Sequence, residues 1–109
     1  MIIRERKDYL DKEKSLIYYY TDWCSFCIKI HNEVEKIAKQ FENDIDIYFI
    51  NQDDYSKEEI DFFNIPKSVP TLYGFLNGIK VFFISGGDRI NYEILEALIN
   101  TRLLEKDND

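Results

Sequence analysis

The chain has 109 residues, 45% apolar and 16% aromatic, which is enough for one small domain with its own core and too little for two. Fourteen basic against 21 acidic side chains leave a net charge of −7, which disfavours nucleic acid and anionic membrane surfaces as partners. No apolar run approaches the roughly 20 residues of a membrane span, and the start lacks the basic-then-apolar order of a secretory leader, so a reducing cytosol is the expected setting.

Residues 1–14 are charged, with Ile3, Tyr9 and Leu10 as apolar contacts, and a short helix is expected near 4–11. Leu16-Ile17-Tyr18-Tyr19-Tyr20 is an unbroken β-branched and aromatic run, too short for a helix, and reads as a strand covered on both faces. The three tyrosines read as core residues rather than as a binding platform. From Cys24 to Phe41 the period changes: Cys27, Ile30, Val34, Ile37 and Phe41 recur every three or four residues, one buried stripe opposite Lys29, Glu33, Lys36 and Lys39. Residues 45–50 return to strand chemistry. Ser56 with Glu59 three positions later opens a short helix to about Phe63. Asp53-Asp54 and Glu58-Glu59 read as a solvated loop and helix start.

Beyond Pro66 and Pro70, residues 71–76 and 79–85 are apolar and aromatic runs joined by Asn77-Gly78, the signature of a type I′ hairpin. Phe82 and Phe83 fall on opposite faces of the second run. Asn91 caps a last helix with an apolar stripe expected at Ile94, Leu95, Leu98, Thr101 and Leu104, before a frayed tail at 105–109. A strand–helix–strand unit forces a parallel pair, and the hairpin adds antiparallel strands. The expected fold class is therefore α/β: residues 1–109 as a single domain, a mixed central sheet of about four strands with helices on both faces.

The chain has two cysteines, Cys24 and Cys27, where a buried strand gives way to a helix. A helix amino terminus presents unpaired N–H groups and roughly half a positive charge. A thiolate at Cys24 is stabilised there, which makes it the natural nucleophile. Cys27 lies about one turn deeper, within reach of Cys24 to resolve a mixed disulfide. Zinc usually takes four protein ligands, and one cluster here offers only Cys24, Cys27 and His31 with Asp22 nearby, so no metal is expected. His31, the only histidine, lies four residues after Cys27 on the same flank and is a candidate proton acceptor. Phe26, Trp23 and Tyr73 form the one aromatic group that reads as partner contact.

From Leu16 to Leu104 the chain resembles the thioredoxin family: a strand, then Trp23-Cys24-Ser25-Phe26-Cys27, then an amphipathic helix; Val69-Pro70-Thr71; Asn77-Gly78 in the hairpin; and Gly86 sixteen residues after Pro70. The resemblance implies the thioredoxin fold and a thiol–disulfide oxidoreductase that reduces protein disulfides, with no cofactor beyond its own Cys24–Cys27 disulfide. It implies a substrate-binding surface of Trp23, Phe26, Val69, Pro70, Thr71 and Gly86. There a cis Val69–Pro70 bond would turn the Val69 N–H and C=O toward the substrate. The implied partners are disulfide-containing proteins and an external reductase or glutathione as electron donor, the protein acting as a monomer.

The sequence departs from the family at several points. Ser25-Phe26 replaces the usual Gly-Pro. Tyr18 stands where thioredoxins carry a buried Asp, the accompanying Lys falls near Tyr48 or Phe49, and Asn32 replaces a kinking proline. Both members of the charged pair are gone together, so neither is left buried alone. Two other readings stay open: a glutaredoxin-like, glutathione-dependent oxidoreductase, and a non-catalytic binding module whose cysteines are vestigial or hold metal.

Overall fold

The computed structural model describes residues 2–3 and 12–105. Strands β1 (Ile2–Ile3), β2 (Lys14–Tyr20), β3 (Asp46–Asn51), β4 (Thr71–Leu76) and β5 (Ile79–Ser85) form one sheet in the order β1-β3-β2-β4-β5. β1 and β2 run parallel to β3, while β4 is antiparallel to both β2 and β5. Helices α1 (Ser25–Phe41), α2 (Lys57–Phe62) and α3 (Tyr92–Leu98) complete the fold. The four expected strands are joined by a fifth, the two-residue edge strand β1, too short for a sequence pattern to reveal. The helix expected near 4–11 lies outside the described residues. No described helix is long and apolar enough to cross a membrane.

Because side chains alternate across a strand, β2 feeds two cores. Leu16 and Tyr18 join Ile47, Phe49 and Leu72 beneath the α1 stripe of Ile30, Val34, Ile37 and Phe41. Ile17 and Tyr19 join Tyr48, Ile50 and Ile65 beneath the smaller α2. Each fully buried Ile, Val, Leu or Phe contributes about 1.5–3 kcal/mol, so the α1 side dominates stability. Gly74 lies opposite Phe82 on β5, where a Cβ would overlap the ring, so the glycine admits that phenylalanine to the larger core.

The last helix differs from its expected stripe. Leu95, Ile99 and Leu103 are fully buried, whereas Ile94 and Thr101 are exposed and Leu98 and Leu104 only partly covered. After Leu98 the chain continues as a π-helical turn, Ile99–Leu103, in which Leu104 N–H donates to Ile99 C=O at 2.9 Å. A regular α-helical repeat places residues four apart progressively off one line; the wider i→i+5 turn restores their alignment.

Candidate active site

Cys24 is the N-cap of α1, with extended backbone (φ −77°, ψ 112°), and the Cys27 backbone N–H donates to its Sγ at 3.1 Å. The first turn of α1 carries no acidic residue, so nothing opposes negative charge on that sulfur from within the turn. The two cysteines are joined as a disulfide, their Cα atoms 5.1 Å apart. Cys24 is 7% exposed and Cys27 1%, so an incoming group meets Cys24 first.

The loop before β4 closes over this pair. The Val69–Pro70 peptide is cis, and the Val69 carbonyl oxygen lies 3.7 Å from Cys24 Sγ. Thr71 fixes the loop: its hydroxyl donates to Ser68 C=O at 2.8 Å and lies 3.0 Å from the Ser85 hydroxyl. Gly86 N–H donates to Pro70 C=O at 3.1 Å, and its φ of +98° is one a side chain would resist. Val69 thus lies beside Cys24, while Pro70 and Thr71 are buried behind it and Gly86 is bonded to Pro70. Gly87, outside the expected binding surface, is packed against Phe26: a Cβ there would overlap the Phe26 Cβ and ring.

Trp23 is 69% exposed, and its Nε1–H donates to Asp53 Oδ2 at 2.9 Å. Asp53 is therefore not merely solvated, as its sequence setting suggests. Asn51 caps the turn that carries Asp53, accepting its N–H at 3.0 Å, and its Nδ2 donates to Asp22 Oδ2 at 3.2 Å. Phe26 is half-exposed, with Lys29 Nζ 5.9 Å from its ring centre. Tyr73 does not belong to this group: its side chain joins the α2-side core, 5.3 Å from the Tyr19 ring. Strand alternation decides this, since Tyr73 pairs with Ile17 and shares its face.

Beneath Cys27, Tyr18 is fully buried, stacked on Tyr20 at 5.1 Å, and its hydroxyl donates to Cys27 C=O at a long 3.4 Å. Burial, and then the neighbouring Tyr20 and Glu35, push this phenol far above its ordinary range, so it remains a neutral donor. His31 lies one turn past Cys27, its ring against Tyr18, Tyr20 and Phe49, with Nε2 3.4 Å from Glu35 Oε1. Among the described residues no three His, Cys, Asp or Glu side chains are grouped to hold a metal ion.

Residues 5–100 match the thioredoxin family profile. Among curated proteins, the chain is 34% identical over 90 residues to thioredoxin M4 of Arabidopsis thaliana chloroplasts, covering 83% of this chain and 45% of that protein. It is 31% identical over 71 residues to chloroplastic thioredoxin M3 of Oryza sativa subsp. japonica, covering 65% and 39%. The chain thus spans less than half the length of these two relatives. Thioredoxin f2 of Chlamydomonas reinhardtii superimposes with a TM-score of 0.73 at 26% identity, covering 94% of this chain and 97% of that one. Oxidised thioredoxin O2 of Arabidopsis thaliana, at 20% identity and covering 92% of each chain, shares the fold with a TM-score of 0.71.

Proposed function

The chain belongs to the thioredoxin family, and from the site it builds we propose that it is a thiol–disulfide oxidoreductase that reduces protein disulfides through Cys24 and Cys27. The observation that carries this is the Cys24 sulfur at the helix cap, accepting the Cys27 N–H and bonded to Cys27. In the reduced protein, the same N–H and the α1 dipole stabilise a Cys24 thiolate. The thiolate attacks one sulfur of a substrate disulfide; the other leaves with the bonding electron pair and takes up a proton. Cys27 then loses its proton and attacks Cys24 Sγ, expelling the first substrate sulfur as a thiolate that takes up the second proton. The substrate gains two electrons and two protons, the protein ends as the Cys24–Cys27 disulfide, and an external dithiol or glutathione restores it. Close placement of the second thiol makes the resolving step intramolecular.

Trp23, Phe26 and the Val69–Pro70–Thr71 loop supply the docking surface in this reading. Support comes from the exposure of both aromatic rings and from the Val69 carbonyl beside Cys24. Gly86 keeps that loop in place. The protein acts as a monomer in a reducing compartment, the cytosol, with no bound cofactor. Reduction of insulin by dithiothreitol tests the reading. The wild-type chain is expected to accelerate it and Cys24→Ser to abolish the acceleration. An inactive wild-type chain, or an active Cys24→Ser variant, would overturn it; turnover only with glutathione would move it to the glutaredoxin-like class.

A further inference from the structure

Cys27 is 1% exposed, yet in the resolving step it must shed a proton. Tyr18, beneath it on the sheet, is a neutral donor held in place by burial and cannot take that proton. On the flank of α1, however, a cleft of about 410 Å³ is lined by Cys27, His31, Thr21, Asp22 and Tyr20. Thr21 Oγ1 is buried at this cleft and has no hydrogen-bond partner among the described residues. That hydroxyl is shut off from solvent, whereas the cleft itself, part polar in its lining, is open to water.

We propose that His31 is the proton acceptor for Cys27, reached through water in the cleft that both residues line. The inference rests on the dithiol reading above. His31 Nε2 lies 3.4 Å from Glu35 Oε1, and the imidazole carries a second ring nitrogen, Nδ1. The Asp22 carboxylate already accepts from Asn51. The titratable groups around the imidazole are Glu35 on α1, Tyr18 and Tyr20 on β2, and Asp22 and Cys27 at the cleft; from β3 the apolar Phe49 ring faces it. In the step, the Cys27 S–H bond breaks and its proton passes by water to His31. The Cys27–Cys24 sulfur bond forms, and the substrate thiolate leaves with the electron pair of the broken mixed disulfide. Imidazolium then returns the proton to solvent through its half-exposed edge.

Rapid mixing of the reduced full chain with 5,5′-dithiobis(2-nitrobenzoate) separates the two thiols. The first chromophore equivalent appears at a rate set by reagent concentration and reports Cys24; the second is concentration-independent and reports Cys27. His31→Gln, and His31→Phe to preserve the ring packing, are expected to slow the second phase about tenfold at pH 7. Both should leave the first phase unchanged. Second-phase rates within about twofold of wild type for both His31 variants from pH 5.5 to 8.5 would overturn the proton route while leaving the dithiol reading intact. Release of a single equivalent by the wild-type chain would sink both.

Discussion

A Cβ built on Gly87 would overlap the Cβ and ring of Phe26, so the dipeptide between the cysteines and the β5–α3 loop share one close-packed seam. Gly87→Ala should therefore destabilise the oxidised chain by about 1–3 kcal/mol, the usual range for an overpacked contact. Urea unfolding reads this directly, and an unchanged midpoint would show that the seam yields freely. Trp23 is the only tryptophan, so its emission reports this corner of the site alone. Removing its acceptor with Asp53→Ala breaks one exposed hydrogen bond at 2.9 Å. We expect a shift in native-state emission with less than about 1 kcal/mol lost from stability. Emission identical to wild type would mean the indole is not held by Asp53 in solution.

At the scale of elements, α1 and α3 are tied by a small polar group: Gln40 Nε2 donates to Glu96 Oε2 at 2.7 Å, and the Tyr92 hydroxyl donates to Glu96 Oε2 at 3.0 Å and also meets Gln40 Oε1. The hydrogen bonds from Gln40 and then Tyr92 hold the Glu96 carboxyl below its usual range. A carboxyl depressed by folding adds stability above its unfolded value and loses that stability as pH falls through the folded one. The gap in melting temperature between wild type and Glu96→Gln should thus be wider at pH 7 than at pH 3. An equal gap at both would show that the tie does not depend on the charge. At α2, Ser56 and Glu59 close a reciprocal capping box at 3.1 and 2.9 Å, and Ser56→Ala should cost about 0.5–2 kcal/mol by urea titration.

That box was legible because both halves lie within four residues, as were Asn77-Gly78, with positive φ at both residues, and the α1 stripe. What sequence periodicity could not reach is contact across loops. Trp23–Asp53 spans thirty positions, and Phe26–Gly87 joins a helix start to a strand end. The α3 stripe held at Leu95, missed Ile94 within the regular helix, and failed at Thr101 and Leu104 for a different reason: a π turn is a departure from the very period used to find it. At the site, the position of Tyr18 was readable by resemblance, but the direction of its hydroxyl depends on how β2 sits under α1.

For the whole molecule, the acidic excess of 21 over 14 carboxylates and cations acts on any approaching partner before contact. Asp22 and Asp53 bracket Trp23 at the end of the sheet where Cys24 opens, and Lys29 by Phe26 is the cation on the other side. The field there should favour substrates whose disulfide is flanked by positive charge, chiefly through the rate of encounter. Two peptides with the same disulfide, one flanked by lysine and one by glutamate, offer the measurement. At low ionic strength we expect the lysine peptide to be reduced about tenfold faster per unit concentration. At about 1 M salt, where the screening length shrinks to roughly 3 Å, the two rates should converge. Asp53→Asn should narrow the low-salt gap without altering the reaction of Cys24 with a neutral disulfide. Equal rates at low salt would mean that partner choice is made by contact with Trp23, Phe26 and the Pro70 loop alone, and that the net charge serves solubility rather than recognition.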